Sequence, residues 1–268
     1  MSLSPLLRGK YAVVFGAGGS IGSAVAKEFA AEGADVFLAG RTMSNVDQVM
    51  RQITGAGGRA HAAMVDAGDD AAVDAYMDGV AKQVGSIDVV FNAVGPLTSE
   101  YGVGKHAVDL SVAEFMVPLT TIVKSHFITA RAAARHMVTQ HHGVIIFVTG
   151  SPARGHVEGA TGIGTAFGAV ETLMENLAVE VGPAGVRVVC IRTTANTDSW
   201  TIQHVMDAVV SQANITKDQA ISRIASLNFL KRPASVSDTA KAAVFLASDH
   251  ARMVTGTVVN ATAGAALD

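Results

Sequence analysis

The chain has 268 residues, 49% hydrophobic and 16% charged, enough apolar material for one α/β domain with a substantial core. A net charge of −3 without any basic block points away from nucleic-acid and membrane-surface partners. The single cysteine, Cys190, excludes an internal disulfide and reads as a small apolar residue on a buried strand, in keeping with a reducing compartment.

The N-terminal stretch MSLSPLLRGKYAVVFGAGG lacks the charged start, apolar core and cleavage site of a signal peptide, and no apolar run is long enough to span a bilayer. A cytoplasmic protein is expected. Strands are predicted at 11–15 (YAVVF), 35–39 (DVFLA), 60–65 (AHAAMV), 88–93 (DVVFNA), 144–148 (VIIFV), 186–191 (VRVVCI) and 257–261 (TVVNA). They are nearly continuous apolar runs, the pattern of parallel strands covered on both faces. In the first helix Ile21, Val25 and Phe29 fall four residues apart on one face, and Gly33 supplies a stop. Further helices are predicted near 44–54, 69–84, 112–140, 164–181 and 237–247. The alternation predicts a single domain over 1–268: an α/β, Rossmann-type doubly wound, seven-stranded parallel sheet with helices on both faces.

Between the first strand and the first helix, VVFGAGGSIGSAV places Gly16, Gly18, Gly19 and Gly22. Glycines there permit a tight turn and close backbone approach to a pyrophosphate, while the helix N-terminus adds N–H donors and a positive dipole end. Dinucleotide binding is therefore expected in preference to a purely structural turn. The second strand runs into FLAGRT. An acidic residue there would bind the adenosine ribose hydroxyls, whereas Arg41 can pair with a 2′-phosphate, which favours NADP(H) over NAD(H). Asp66, in MVDAGD, can accept from an adenine amino group or cap the helix that follows, and the two roles are compatible.

These features, with several motifs further along, resemble the short-chain dehydrogenase/reductase family nearly end to end. FGAGGSIG is similar to its TGxxxGxG loop, with Phe15 for threonine and Ser20 for the middle glycine. VVFNAVG (89–95) resembles its NNAG element, with Ala93 for the second asparagine. ENLAVEVGPAGVRVVCI (175–191) is similar to LAxELxxxGIRVNxI, and FLKRPASVSDTAKAAVFLASDHARMVTG (229–256) to GRPxxPxxVAxxVxFLASxxAxxxTG. The resemblance implies a cofactor site of Gly16, Gly18, Gly19, Ser20, Ile21, Gly22, Arg41, Asp66, Ala67, Asn92, Ala93, Gly95 and Thr197. Two departures stand near it: Thr193-Thr194 where Pro-Gly is usual, and Thr262 where an aspartate is usual.

The stretch 159–173, GATGIGTAFGAVETL, raises a separate question, because it is glycine-rich, enters a helix and contains neither tyrosine nor lysine. Alone it reads as a second phosphate loop, a packing element or a catalytic segment without its chemistry. The family's reaction uses a Ser-Tyr-Lys set helped by an asparagine; the lysine ammonium brings the phenol, with a free pKa near 10, into working range. Aligned on the flanking motifs, the tyrosine position falls on Ile163, the lysine position on Phe167, the serine position on Gly150 and the asparagine position on Ile122. The only tyrosines are Tyr11, Tyr76 and Tyr101, and no lysine lies between Lys124 and Lys217, so no nearby shift of register restores the pair. The stretch is thus the catalytic segment without its usual catalyst, with close helix packing or a mobile active-site segment as the role of its small residues.

Replacement chemistry would have to come from elsewhere. Ser151, beside the serine position, and His156, with a pKa suited to proton transfer, are the candidate catalytic residues. His126 lies one turn after Ile122 and can approach the same cleft, whereas Lys124 faces away. Arg154 and Glu158 can line the loop after the fifth strand, though solvated surface charge is the simpler reading. His141-His142 lacks further spaced ligands, so no metal site is expected. The insertion at about 195–230 corresponds to the family's substrate lid; its Trp200, Ile202, Val205, Met206 and Val209 share a helical face that contacts a hydrophobic substrate or packs on the core. The resemblance also implies a homodimer or homotetramer, with Phe167, Val170, Leu173, Met174 and Leu177 giving the last long helix an apolar face. Three functions compete: an NADP(H)-dependent oxidoreductase acting on an unidentified carbonyl or alcohol through an atypical site, a catalytically inactive cofactor-binding sensor or partner subunit of an active relative, and a structural subunit that no longer binds nucleotide, for which the Phe15 and Ser20 departures leave room.

Overall fold

The computed structural model of the chain describes residues 5–155, 157–213 and 215–268, without the side chains of Ala208, Val209, Ser211, Gln212 and Ala213. Strand β1 (Tyr11–Phe15) runs into α1 (Ser20–Ala31), followed by β2 (Asp35–Gly40), α2 (Met43–Gly55), β3 (Arg59–Met64), α3 (Asp70–Val84) and β4 (Val89–Asn92). Next come α4 (Val112–Pro118), α5 (Lys124–Gln140), β5 (Gly143–Gly150), α6 (Thr161–Val181) and β6 (Val186–Thr193). The chain ends with α7 (Trp200–Ala213), α8 (Lys217–Leu227), α9 (Val236–Ala247) and β7 (Thr257–Asn260). The strands form one parallel sheet in the order β3-β2-β1-β4-β5-β6-β7. The order reverses between β1 and β4, where a doubly wound sheet opens a crevice at the C-terminal ends of its strands.

Alternate residues of the central strands feed two cores. Val13 and Phe15 join Met77 of α3, Ile128 of α5 and Val170 of α6 on one face. Ala12 and Val14 join Val25 and Phe29 of α1 and Val244 of α9 on the other. Phe29 meets Phe91 of β4 edge-to-face with ring centroids 6.4 Å apart, and burying each such ring contributes about 2–3 kcal/mol. Val170 and Met174, fully buried here, belong to the chain's own core and are withdrawn from the apolar face expected of α6.

Two expectations change. The outer strands are not covered on both sides: Arg59, His61 and Met64 of β3, and Thr257 and Asn260 of β7, are exposed, because the helical layers end at the margins of the sheet. The helix predicted over 112–140 is also interrupted. Pro118 has no N–H and its ring crowds the preceding turn. The chain responds with a wide π turn over Leu119–Val123, in which the Lys124 N–H donates to the Leu119 carbonyl before α5 begins. Ile122 sits inside that turn. No helix among the described residues is long and apolar enough to cross a membrane.

Candidate active site

On the β1 side of the crevice the loop leading to α1 is shaped by backbone alone. Gly16 has φ +73°, and a Cβ there would lie 2.9 Å from the Ala93 carbonyl oxygen. A Cβ on Gly22 would lie 2.2 Å from the Gly16 carbonyl oxygen, and one on Gly18 2.9 Å from Asn45 Cβ. The Ala17 N–H donates to the Ala39 carbonyl (3.1 Å), the Gly19 N–H to Gly16 (3.0 Å) and the Ala93 N–H to Phe15 (3.0 Å), so β1, β2 and β4 clamp the loop together. Gly19, the residue before α1, provides no side-chain cap among the described residues, which leaves first-turn N–H groups for an anion. Such a cradle fits the diphosphate of a dinucleotide.

The other expected cofactor residues divide into liners and braces. Arg41 is exposed just beyond the end of β2, Gly95 is exposed beyond β4, and Ile21 and Ala93 are half-buried. Ala67 is buried. Asn92 is a brace: its Nδ2 donates to Thr129 Oγ1 (2.8 Å) and its Oδ1 accepts from the Val94 N–H (2.8 Å). The Thr197 N–H and hydroxyl both donate to the Ala234 carbonyl, at 3.0 and 3.3 Å. Asp66 does not cap α3. Its Oδ1 accepts from the Gly68 N–H (2.9 Å) in a local turn, and the cap is Asp69, whose side chain accepts from the Ala72 N–H.

On the β5 side lie the four positions that the resemblance expects to carry the family's catalytic set. Ile122 is buried, and its carbonyl accepts from Ser125 Oγ (3.1 Å) and His126 Nδ1 (2.9 Å). The Phe167 ring lies over Gly150, where an added Cβ would meet it at 2.9 Å. Ile163 is half-buried on the same face of α6. One turn further on, Glu171 is 2% exposed and accepts Arg192 Nε and Nη2 at 2.8 Å each and the Thr149 hydroxyl at 3.0 Å. Arg192 Nη1 also pairs with Asp268, and Arg154 Nε lies 3.7 Å from Glu171. These carboxylates hold the Arg192 guanidinium protonated, moving its pKa further up.

Ser151 turns toward β6, its Oγ 3.4 Å from Thr194 Oγ1. His156 lies outside the described residues. His126 does not approach the cleft: it is 1% exposed, its ring meets Phe147 edge-on at 5.2 Å, and burial lowers its pKa to about 4. Its Nε2 has no hydrogen-bond partner among the described residues. Burial likewise pushes the Cys190 thiol up to about 12, as befits an inert strand residue. Of the apolar lid face, Met206 is buried, Ile202 and Val205 are half-buried and Trp200 is 53% exposed; the Val209 side chain lies outside those described.

A family model described as "Enoyl-(Acyl carrier protein) reductase" matches residues 16–266. The chain belongs to the short-chain dehydrogenase/reductase family. Among similar proteins, meso-2,3-butanediol dehydrogenase of Serratia marcescens is 30% identical over 260 residues, covering 96% of this chain and 94% of that one. The 7alpha-hydroxysteroid dehydrogenase of Escherichia coli (strain K12) is 27% identical, with 96% and 94% covered. The crystal structure of sorbitol-6-phosphate 2-dehydrogenase from Erwinia amylovora superposes with a TM-score of 0.88 over 96% of this chain and 100% of that one, at 23% identity, and shows the shared fold. This is an oxidoreductase family whose members bind a nicotinamide cofactor.

Two features of this short-chain dehydrogenase/reductase escape sequence reasoning. The Glu171–Arg192 pair leaves one trace, a charge on each of two otherwise apolar faces, and that trace does not identify the partners. The bond between Trp200 N–H and Ser20 Oγ, 2.9 Å long, leaves none.

Proposed function

We propose that the chain is an oxidoreductase that prefers NADP(H) to NAD(H) and acts on a carbonyl/alcohol pair through a site without a tyrosine–lysine couple. The observation that carries this reading is the cradle in which Gly22 must lack a Cβ because the Gly16 carbonyl occupies that space. When bound, the cofactor supplies or accepts the hydride. The glycine loop and the head of α1 hold its diphosphate, and the Arg41 guanidinium pairs with the 2′-phosphate. Ile163 and Phe167 keep water from the reacting end and donate no proton. Ser151, hydroxyl to hydroxyl with Thr194, is the described donor at the end of β5, and His156 is the second candidate. An aliphatic hydroxyl is a far weaker acid than an ammonium-assisted phenol, so turnover should lie about two to four orders of magnitude below a site with the full set.

A second reading is a redox-silent nucleotide sensor or a partner subunit of an active relative. The packing of Phe167 on Gly150, which closes the serine position, favours it. Titration with NADPH and NADH, followed by nicotinamide fluorescence, tests both. NADPH should bind more tightly, and Arg41→Ala should weaken NADPH about tenfold, the loss of a solvent-exposed charge-assisted pair, while leaving NADH unchanged. No binding of either nucleotide would sink both readings. NADPH binding without oxidation by any carbonyl at stoichiometric protein would select the sensor.

A further inference from the structure

Among the described residues, the lid helix and the glycine loop are joined by one hydrogen bond between residues 180 apart in the chain, from the Trp200 N–H to Ser20 Oγ. The Trp200 N–H belongs to the first turn of α7, where backbone donors have no partner within the helix. Ser199 accepts the Ile202 N–H at 3.3 Å through its own hydroxyl, so α7 carries part of its cap in its own sequence. The Trp200 donor is satisfied from the opposite wall of the crevice. Ser20 is the first residue of α1 and stands where the family loop has a glycine, so the hydroxyl is an addition in this chain.

The base of the lid is fastened separately. Thr197 is bound to the Ala234 carbonyl, and Asp198 accepts the Val236 N–H at 2.9 Å. The Trp200 ring does not insert into the core; it stacks on His204 at 4.9 Å and 24° and remains 53% exposed. The first turn of α7 therefore has a fixed base behind it, to which Gln203 Nε2 also donates at the Thr197 carbonyl, half-buried Ile202 and Gln203 side chains, and a single direct hydrogen bond to the glycine loop among the described residues.

We propose that this bond is a latch. Ser20 holds the first turn of α7 over the glycine loop in the nucleotide-free protein, and nucleotide enters and leaves when the bond opens. The inference rests on the nucleotide-binding reading above. It makes Ser20 a positioning residue for the lid, acting on the rates of exchange in both directions.

Hydrogen exchange of the α7 amides in the nucleotide-free protein reads the latch directly. Stopped-flow mixing with NADPH, using energy transfer from Trp200, the only tryptophan in the chain, reads its consequence. Ser20→Ala should speed α7 exchange and raise both association and dissociation rates about three- to tenfold, the effect of one neutral hydrogen bond. Ser20→Thr keeps the hydroxyl and should behave as the parent. Unchanged exchange in Ser20→Ala, with only dissociation faster, would overturn the latch and make Ser20 a phosphate ligand. Absence of NADPH binding in both proteins would defeat the functional reading alone; faster α7 exchange in Ser20→Ala would then still support the contact, and unchanged exchange would overturn it.

Discussion

The two walls of the crevice are specified in different ways. On the β1 wall the requirements are written in missing atoms: Gly16 and Gly22 pack backbone against backbone so closely that any side chain would displace the turn. On the β5 wall they are written in side chains carried by regular helix and strand, where Ile163, Phe167 and Gly150 are as compatible with α6 and β5 as a tyrosine, a lysine and a serine would be. A loop whose fold is its function cannot drift without losing both. Side chains borne on a regular scaffold can be exchanged while the scaffold persists.

The largest effect should come from rewriting the second wall. Gly150→Ser alone forces its Cβ to within 2.9 Å of the Phe167 ring and should cost about 1–3 kcal/mol of stability. Combined with Ile163→Tyr and Phe167→Lys, the clash is relieved and a phenol–ammonium pair is restored. NADPH oxidation against a panel of ketones should then rise about 10²- to 10⁴-fold over the parent. A triple variant that binds NADPH as the parent does, yet turns over no faster, would show that positions 150, 163 and 167 do not face the reacting atoms.

Behind that wall, Glu171 and Arg192 are each 2% exposed and bound to one another by two hydrogen bonds. Glu171→Gln leaves an arginine deeply buried with one of its carboxylate partners gone, and urea denaturation should register a loss of about 3–5 kcal/mol. Replacing the pair with Glu171→Leu and Arg192→Met should cost much less, because the one carboxylate then left without Arg192, Asp268, is largely exposed to solvent. If the double variant is as unstable as the single, Glu171 matters for its bond to Thr149 and not for its charge.

The same contrast accounts for what was legible in the sequence. Gly16 to Gly22, the seven strands and the core face of α1 follow from local rules of turn chemistry and periodicity, so they could be read residue by residue. Pro118 carried a local signal for the break before α5, but its response, a π turn over Leu119–Val123, depends on what packs around it. The choice of Asp69 over Asp66 as the α3 cap differs by less than one turn of chain. Glu171 with Arg192, and Ser20 with Trp200, are pairings across the fold, for which spacing within the chain holds no information. Ser151 could be placed at the end of β5 from sequence, yet its turn toward Thr194 is set by the neighbouring strand.

The smallest effect tests the β5 side. His126 donates toward the Ile122 carbonyl on the β5 side and lies on α5 behind the crevice, with Phe147 against its ring. Burial lowers its pKa from 6.5 to about 4, so between these values the unfolded chain takes up a proton that the folded protein refuses. Stability therefore falls as pH drops from about 6.5 to about 4, and is unaffected by this group above that window. Each tenfold difference in proton affinity is worth about 1.4 kcal/mol, which makes the full span roughly 3 kcal/mol. His126→Gln keeps a donor for the Ile122 carbonyl and removes the titration, so its unfolding free energy should decline less steeply over that range. The remaining histidines contribute equally to both proteins and cancel. Equal slopes in parent and variant would mean that His126 is not held neutral in the fold.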